Sequence, residues 1–339
     1  MSDVDGGRYE PFGRGRFPVG VRTSWIEDAG RGRRFPVETW YPATGADPAG
    51  LDSFEVPGQD EPRAQRAVRD AAAEPGDRPL VVFSHHAGGH RRSSTFLCTH
   101  LASHGYRVVA MDHSETAVPA LARPGPETAE QRAARIAEVM ASRVPDVRAL
   151  LAHVAAGAPG PIGIAGHSLG GWTALAMPDV EPRIGAVVAC APGGSSRPRP
   201  GVLPLRLDFA WGRDVPTLYL AADQDVSIPL AGVRELVDRT PATRQLVVLR
   251  RADHAHFADD VAQEHEAVRT MPLPPELSWL AEEMRPIAEL CTGAQAHLFT
   301  RGLTLAHLDA TLRGTEGARK FLVGDLVGEL AGRGVEASG

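Results

Sequence analysis

Short apolar runs alternate with longer amphipathic segments along most of this chain, and no other feature restricts its fold as strongly. Buried strands are expected at residues 80–84, 106–111, 161–165, 184–190, 217–221 and 245–249. Helices are expected at residues 94–104, 128–156, 169–176 and 230–237. Repeated strand–helix–strand connections favour a right-handed parallel arrangement. The order therefore predicts an α/β protein with a mostly parallel sheet and helices on both faces.

The flanking segments differ from this pattern. Runs 19–27 and 35–41 are separated by a turn-rich linker, which predicts an N-terminal antiparallel hairpin at one edge of the sheet. Between residues 42 and 79, where Pro, Gly, Asp and Ala are frequent, one helix is expected at 63–73 and loop elsewhere. Pro145 is expected to kink or split the helix at 128–156. The tail at 276–330 is expected to be helical.

No linker divides the chain, so its 339 residues are expected to form a single domain with a core at about 17–335. Three long loops are expected, at 112–128, 192–215 and 258–277. The first two are interpreted as loop or lid insertions. Because substrate-facing groups are often carried on loops above a sheet edge, these segments are candidate walls of a binding site.

Composition excludes several functions. Only one of the 36 Lys and Arg residues is a lysine, Lys320, so Schiff-base, P-loop and protein-kinase chemistry lack their essential amine. Three scattered cysteines provide no disulfide framework or CxxC metal site. A net charge of −6 gives no basic surface for nucleic acid. Without an apolar leader or a membrane-length run, the expected location is cytoplasmic.

The sharpest motif is Gly166-His167-Ser168-Leu169-Gly170, which lies between a predicted strand and a predicted helix. A turn this tight places the serine at strained backbone angles and requires small residues on both sides. It would lift the Ser168 hydroxyl above the sheet edge. The chain has 36 glycines, so a glycine-rich turn with a serine helix cap is the alternative. The strand–turn–helix setting favours a nucleophile.

A serine nucleophile needs a base, and the base needs a group that orients it. Asp223 and Asp225 follow the strand expected at 217–221, and His254 and His256 follow the strand expected at 245–249. Either member of each pair would reach the edge that carries Ser168, and both choices stay open on spacing alone. Asp225 is preferred to Asp223, although a role as a helix cap is the alternative.

An oxyanion hole is expected from two backbone N–H groups, those of Leu169 and Ala87. Leu169 directly follows the nucleophile, and Ala87 lies in the loop after strand 80–84. His86 and Trp172 are the candidate substrate-binding side chains. A tryptophan directly after such a turn is nevertheless more often part of the core.

Six stretches of the chain resemble α/β-hydrolases, and more narrowly the dienelactone-hydrolase-like group that includes plasma-type platelet-activating-factor acetylhydrolases. They are PVGVRT, VETWYPA, VVFSHHAGG, LASHGYRVVAMDH, GHSLGG and DHAHFAD. The resemblance implies the α/β-hydrolase fold, hydrolysis of esters with short acyl or lactone groups, and His254 as the base, because it begins the H-x-x-F-A-D run. The family's Ser-His-Gly-x-Gly segment is Ser-His-His-Ala-Gly here, with His86 in place of glycine.

The resulting hypothesis is a serine esterase that acts on small-molecule carboxylic esters (short acyl, lactone or lipid-like) through an acyl-enzyme. Ser168, His254 and Asp225 are its expected triad, and no metal or organic cofactor is expected. The alternatives are acyl transfer or cyclisation in biosynthesis, and a metal-dependent hydrolase built on clustered histidines. Against the metal, the HxHxDH and HExxH spacings are absent. The sequence gives no indication of oligomeric state.

Overall fold

A single eleven-stranded sheet forms the centre of the protein in a computed structural model, which describes residues 8–45, 50–56, 61–122, 127–155, 160–273 and 275–339. The strands are β1 (Val19–Asp28), β2 (Arg33–Pro42), β3 (Leu51–Phe54), β4 (Arg63–Arg69), β5 (Leu80–Ser84), β6 (Arg107–Met111), β7 (Ile162–His167), β8 (Ile184–Cys190), β9 (Thr217–Ala222), β10 (Arg244–Leu249) and β11 (Ala337–Ser338). All six predicted buried strands are confirmed, each within about two residues of its expected ends.

The strands lie in the order β11-β10-β9-β8-β7-β5-β6-β2-β1-β4-β3. The six from β5 to β10 are parallel to one another, as the alternation predicted. The hairpin of β1 and β2 is antiparallel, also as predicted, and joins the sheet through β6. It does not form the edge, because β4 and β3 continue the sheet beyond it.

Helices cover both faces of the sheet. They are α1 (Thr95–Ser103), α2 (Ser114–Ala117), α3 (Pro119–Ala122), α4 (Ala129–Val154), α5 (Leu169–Ala176), α6 (Leu230–Arg239), α7 (Val261–Thr270), α8 (Ser278–Glu283), α9 (Gly293–Leu312), α10 (Glu316–Val323) and α11 (Leu326–Ala331). Successive residues of the parallel strands β5 to β10 enter two separate apolar clusters, one under α1 and α9 and the other under α4, α5 and α6. Within the described ranges, no helix is both long and apolar enough to cross a membrane.

Four expectations are corrected. The segment expected to be a helix at 63–73 contains β4, and the expected loop around 51–54 is β3. The expected loop at 258–277 contains α7. The helix α4 continues through Pro145, so the split expected there is wrong, and the alternative, a kink, stays a prediction. The insertion expected at 112–128 carries α2 and α3. Residues 123–126 of this insertion and residue 156 of the helix expected at 128–156 lie outside the described residues.

The parallel strands determine where the site lies. The carboxyl ends of β5, β7, β9 and β10 meet at one edge of the sheet, where ligands of open α/β sheets bind. The four loops that leave this edge carry Ala87, Ser168, Asp225 and His254, respectively. Residues far apart in sequence are thus brought together by strand order alone.

Candidate active site

The turn between β7 and α5 holds Ser168 in a backbone conformation that side chains rarely adopt, with φ of 57°. Its two flanking glycines are required by close packing. A Cβ atom on Gly166 would overlap the carbonyl oxygen of Gly170, and one on Gly170 would overlap that of Ser84. The local sequence therefore fits the strained turn, as the Gly-x-Ser-x-Gly pattern predicted.

The backbone N–H groups of Ser168 and Leu169 differ in their acceptors. Its own N–H donates to the carbonyl oxygen of Cys190 at 2.9 Å, which anchors the turn to β8. Leu169 is the first residue of α5, so its N–H has no acceptor within the helix. Ala87 and Leu169 line the same cavity as Ser168. The two candidate oxyanion donors thus lie at the same cavity, and their role stays a proposal.

His254 and Asp225 form a hydrogen-bonded pair at the carboxyl ends of β10 and β9. The Nδ1 atom of His254 lies 2.7 Å from Oδ2 of Asp225. The other carboxylate oxygen of Asp225 accepts from the backbone N–H of Ile228 at 2.8 Å, so its orientation is fixed from two sides. Asp225 is buried, whereas the His254 side chain is 26% exposed to the cavity that also contains Ser168. This arrangement suits an oriented general base.

The pKa of His254 is the balance of two opposing effects. Burial disfavours the imidazolium, but the charge and hydrogen bond of Asp225, together with the charges of Asp253 and Glu264, outweigh burial and raise the pKa above its ordinary value of 6.5. A general base must be neutral, so kcat/KM is expected to fall as the pH decreases through a midpoint above 6.5. A pH–rate profile with a p-nitrophenyl ester measures that midpoint.

Glu264 provides the control for this profile, because it lines the same cavity and its pKa is raised by burial to about 7. Glu264→Gln is expected to retain the acidic limb. Asp225→Asn is expected to move the limb to lower pH, since the group that raises the pKa of His254 is removed. If the fall of kcat/KM at low pH disappears in Glu264→Gln, the titrating group is Glu264 and not His254.

The two alternative residues are engaged elsewhere. Asp223 accepts from the backbone N–H of Ala252 at 3.4 Å and lies 3.3 Å from the guanidinium of Arg250. His256 is fully buried, with Nδ1 donating to Oδ1 of Asp253 at 2.7 Å and Nε2 donating to the carbonyl oxygen of Cys291 at 3.0 Å. Both nitrogens of His256 are therefore used in structural contacts.

A buried ionic cluster surrounds Asp253. Nδ1 of His265 contacts its second carboxylate oxygen, and Nε2 of His265 lies 2.9 Å from the carbonyl oxygen of Arg285, so one carboxylate ties together two imidazoles. Burial opposes the charge on His256, yet the interactions with Asp253 and Cys291 together outweigh burial and raise the pKa of His256 to about 10. The cluster fixes the segment that carries His254, because His254 lies between Asp253 and His256 in the chain.

Asp253→Asn is expected to lower the free energy of unfolding by about 3–5 kcal/mol, because it leaves a buried cation without its counter-charge. The pKa of His256 is raised on folding from 6.5 to about 10, so the contribution of the pair is complete below pH 6.5 and lost as the pH rises through about 10. Urea unfolding across this interval measures the difference. Asp70→Asn, which removes an exposed partner of Arg22, is the control and should cost about 0–1 kcal/mol. A pH-independent difference would contradict the assignment.

Two adjoining cavities meet at Ser168, His254 and Ala87. The first, of about 480 Å³, extends beneath α7 and α8 and is walled largely by apolar side chains: Val268, Met271, Leu273, Leu277, Leu280 and Met284. The second, of about 380 Å³, extends between α3, α4 and the 192–215 loop. Its apolar walls include Leu121, Ile136, Val139, Val202, Leu203 and Leu205. The nucleophile candidate therefore lies between two mainly apolar compartments.

The candidate substrate-binding residues have different surroundings. His86 lines the first cavity, with Nε2 3.8 Å from a carboxylate oxygen of Glu264, and burial lowers the pKa of His86 to about 3. Trp172 lies in the core instead, where its indole N–H donates to the carbonyl oxygen of Arg206 at 2.8 Å. It lines neither of the two cavities. The structure thus places His86 at the site and Trp172 away from it.

The clustered acidic and histidine residues do not converge on a common point. Asp259 accepts from the backbone N–H groups of Thr95 and Phe96 at the start of α1, and Asp260 pairs with Arg63. Over the residues that the structure describes, no three His, Cys, Asp or Glu side chains are grouped so as to hold a metal ion. Cys98, Cys190 and Cys291 are buried free thiols.

Two residues at or near the site, Glu264 and Arg143, were not predicted from the sequence. Glu264 was assigned to an expected loop, and only the presence of α7 directs it into the first cavity. Arg143 is fully buried beneath the loop that carries Ala87. One signal was available for it, since Arg143 falls at helical spacing between the buried Val139 and Val147 of α4.

Comparison with known proteins agrees with the fold and with ester hydrolysis. The model of the dienelactone hydrolase family matches residues 67–283. A ferulic acid esterase from Streptomyces cinnamoneus is similar in structure, with a TM-score of 0.64 and 25% identity over 88% of this chain and 92% of that one.

A protein provisionally assigned to the dienelactone hydrolases, from Klebsiella pneumoniae, has a TM-score of 0.49 and 19% identity over 73% of this chain and 94% of that one. No curated protein shows significant sequence similarity to the chain. The family match covers more than half of the chain. The chain therefore belongs to the dienelactone hydrolase family and is a carboxylic ester hydrolase.

Proposed function

We propose that this enzyme hydrolyses carboxylic esters through an acyl-enzyme formed on Ser168, with His254 as general base and Asp225 as the group that orients it. The observation that carries the proposal is the 2.7 Å hydrogen bond between His254 and Asp225 at the cavity that also contains Ser168. No other serine at this cavity occupies a strained strand-to-helix turn among the described residues.

In the first half-reaction, Oγ of Ser168 attacks the ester carbonyl while Nε2 of His254 takes its proton. The negative oxygen of the tetrahedral intermediate accepts from the N–H groups of Ala87 and Leu169, a contribution of about 3–4 kcal/mol for each such donor. Collapse of the intermediate expels the alcohol, which receives the proton from His254. Water then attacks the acyl-enzyme with the same assistance and releases the acid.

The two cavities support a substrate with apolar groups on both sides of the ester. One cavity would receive the acyl group and the other the alcohol, because both adjoin Ser168 and His254. The similar structure from Streptomyces cinnamoneus is a ferulic acid esterase, which makes ferulate esters a reasonable addition to the candidate substrates. Lactones and lipid-like esters belong to the same chemical class.

A panel of p-nitrophenyl acetate, butyrate, hexanoate and octanoate, with methyl ferulate, tests this substrate class. We expect kcat/KM to rise about fourfold per added methylene until the acyl cavity is filled. Val268→Phe narrows the first cavity and Val202→Phe the second, so the variant that shortens the preferred acyl chain identifies the acyl cavity. The other variant is the matched control. Acetate as the best substrate, unchanged in both variants, would contradict the proposal.

Transfer of the acyl group to an acceptor other than water uses the same first half-reaction. Product analysis separates the two outcomes. Release of free acid in stoichiometric amounts with the alcohol is expected for hydrolysis, and an acylated or cyclised product would show transfer instead.

A further inference from the structure

Arg143 is an unusual residue of α4, because its guanidinium is completely buried directly beneath the loop that follows β5. Burial of a cation is costly and must be offset by hydrogen bonds and a counter-charge. The counter-charge is Glu115 of α2, which pairs with Nη2. The remaining contacts of Arg143 go to the loop that carries the candidate oxyanion donor Ala87.

Two consecutive carbonyl oxygens of that loop accept hydrogen bonds from Arg143. Nη1 donates to the carbonyl oxygen of His85 at 2.6 Å, and Nη2 donates to that of His86 at 3.1 Å. Nη1 also donates to Oγ of Ser84 at 3.2 Å. The guanidinium fork therefore holds the backbone of the two residues that immediately precede Ala87.

His85 is a second donor to the carbonyl oxygen of His86. Nε2 of His85 accepts from the backbone N–H of His113 at 3.2 Å, which leaves the proton of the neutral ring on Nδ1. Nδ1 then donates to the carbonyl oxygen of His86 at 2.7 Å. Burial lowers the pKa of His85, and so favours this neutral form. The carbonyl of His86 thus accepts from three donors: Arg143, His85 and the backbone N–H of Gly89 at 3.1 Å.

The geometry of a trans peptide transmits this direction to Ala87. The C=O of one residue and the N–H of the next lie in one plane and point in opposite directions. Because the carbonyl of His86 points inward to Arg143, the N–H of Ala87 points to the opposite side. Ala87 lines both cavities beside Ser168, so this outward N–H belongs to a residue that adjoins the nucleophile candidate.

We propose that Arg143 is a positioning residue for ester hydrolysis, which aims the N–H of Ala87 at the developing oxyanion and polarises the His86–Ala87 peptide. The inference rests on the proposed function, since it assumes an oxyanion at Ser168. Arg143 itself does not touch substrate. Its effect is exerted through the loop, and an error of about 1 Å in the position of a catalytic group is sufficient for a 100-fold loss of rate.

The test compares Arg143→Lys with Arg31→Gln. A lysine keeps the charge beside Glu115, but all its donors are on one nitrogen, so it lacks the planar fork whose two nitrogens reach the two carbonyls. Arg31 pairs with Asp146 in the same interior region without contacting the 85–87 loop, so Arg31→Gln is the matched control. Each variant is assayed for kcat, KM and melting temperature. The inhibition constants of a trifluoromethyl ketone, which forms an oxyanion adduct, and of the corresponding unfluorinated alcohol are also measured.

For Arg143→Lys we expect kcat to fall at least about 10-fold, with KM and the alcohol's inhibition constant changed less than about threefold. Inhibition by the trifluoromethyl ketone should weaken in parallel with kcat. For Arg31→Gln, kcat and ketone inhibition should stay within about twofold, even if the melting temperature falls equally.

Unchanged kcat and ketone inhibition in Arg143→Lys would overturn the inference, provided that Ser168→Ala is inactive. Equal losses of kcat in the two variants, in proportion to their melting temperatures, would also overturn it and leave Arg143 a purely structural residue. Retained activity in Ser168→Ala would refute the proposed function itself. The two failures are therefore distinguishable.

Discussion

Ser168→Ala is expected to lower kcat for p-nitrophenyl esters by at least about 10⁴-fold and to abolish labelling by a fluorophosphonate probe. The proposed mechanism forms the acyl-enzyme on the Ser168 hydroxyl, and alanine has no hydroxyl. Binding energy and the backbone N–H groups survive the substitution, so a residual rate above that of water is expected.

Loss of activity in Ser168→Ala must be distinguished from loss of folding at the strained turn. Alanine, like serine, carries a Cβ at φ of 57°, so the substitution adds no new clash at the turn. The melting temperature should therefore change little. Ser196→Ala, at an exposed loop position, is the matched control and should retain both turnover and labelling. Turnover that persists in Ser168→Ala and is sensitive to EDTA would instead indicate a metal-dependent hydrolase.

His254→Ala is expected to reduce kcat/KM by at least about 10³-fold while leaving the protein folded. The proposed base accepts the serine proton and returns it to the leaving alcohol, so both half-reactions lose their proton carrier. The His254 side chain is partly exposed to the cavity. Its removal costs the carboxylate of Asp225 the hydrogen bond to the ring. Steady-state kinetics and thermal unfolding of the same preparation separate activity from stability.

His256→Asn is the informative comparison, because the two histidines are only two residues apart and differ in what they contact. His256 is bound to Asp253 and to the carbonyl oxygen of Cys291, so its replacement should lower stability. Activity per folded molecule should remain far higher than in His254→Ala. The opposite ranking, with greater loss of activity in the His256 variant, would reverse the assignment of the base.

Several strands and helices were predictable because their signals are local. The apolar run at Leu80–Ser84 is buried along its whole length, and α5 follows β7 as the glycine-flanked serine predicted. The helix expected at 63–73 was wrong for a physical reason. Ala, Arg and Gln favour helices in isolation, but residues Arg63–Arg69 pair with β1 and β3 and bury alternate side chains.

The choice between neighbouring polar residues required three dimensions. Asp223 and Asp225 follow the same strand, and so do His254 and His256. A spacing of two residues gives no basis for choosing, whereas the bonds to Arg250 and Asp253 engage one member of each pair elsewhere. His254 and Asp225 are the members that meet each other at the cavity, and their catalytic roles stay predictions.

The sequence by itself determined the α/β class, the family resemblance and the turn at Ser168. Periodicity, turn chemistry and the clash that a Cβ would create at Gly166 act over a few residues. Only the tertiary structure decided that Glu264 enters the cavity, that Trp172 lies in the core and that Arg143 holds the Ala87 loop. Helical spacing indicates that Arg143 is buried, but it does not indicate what Arg143 contacts, because strand order and helix packing bring distant segments together.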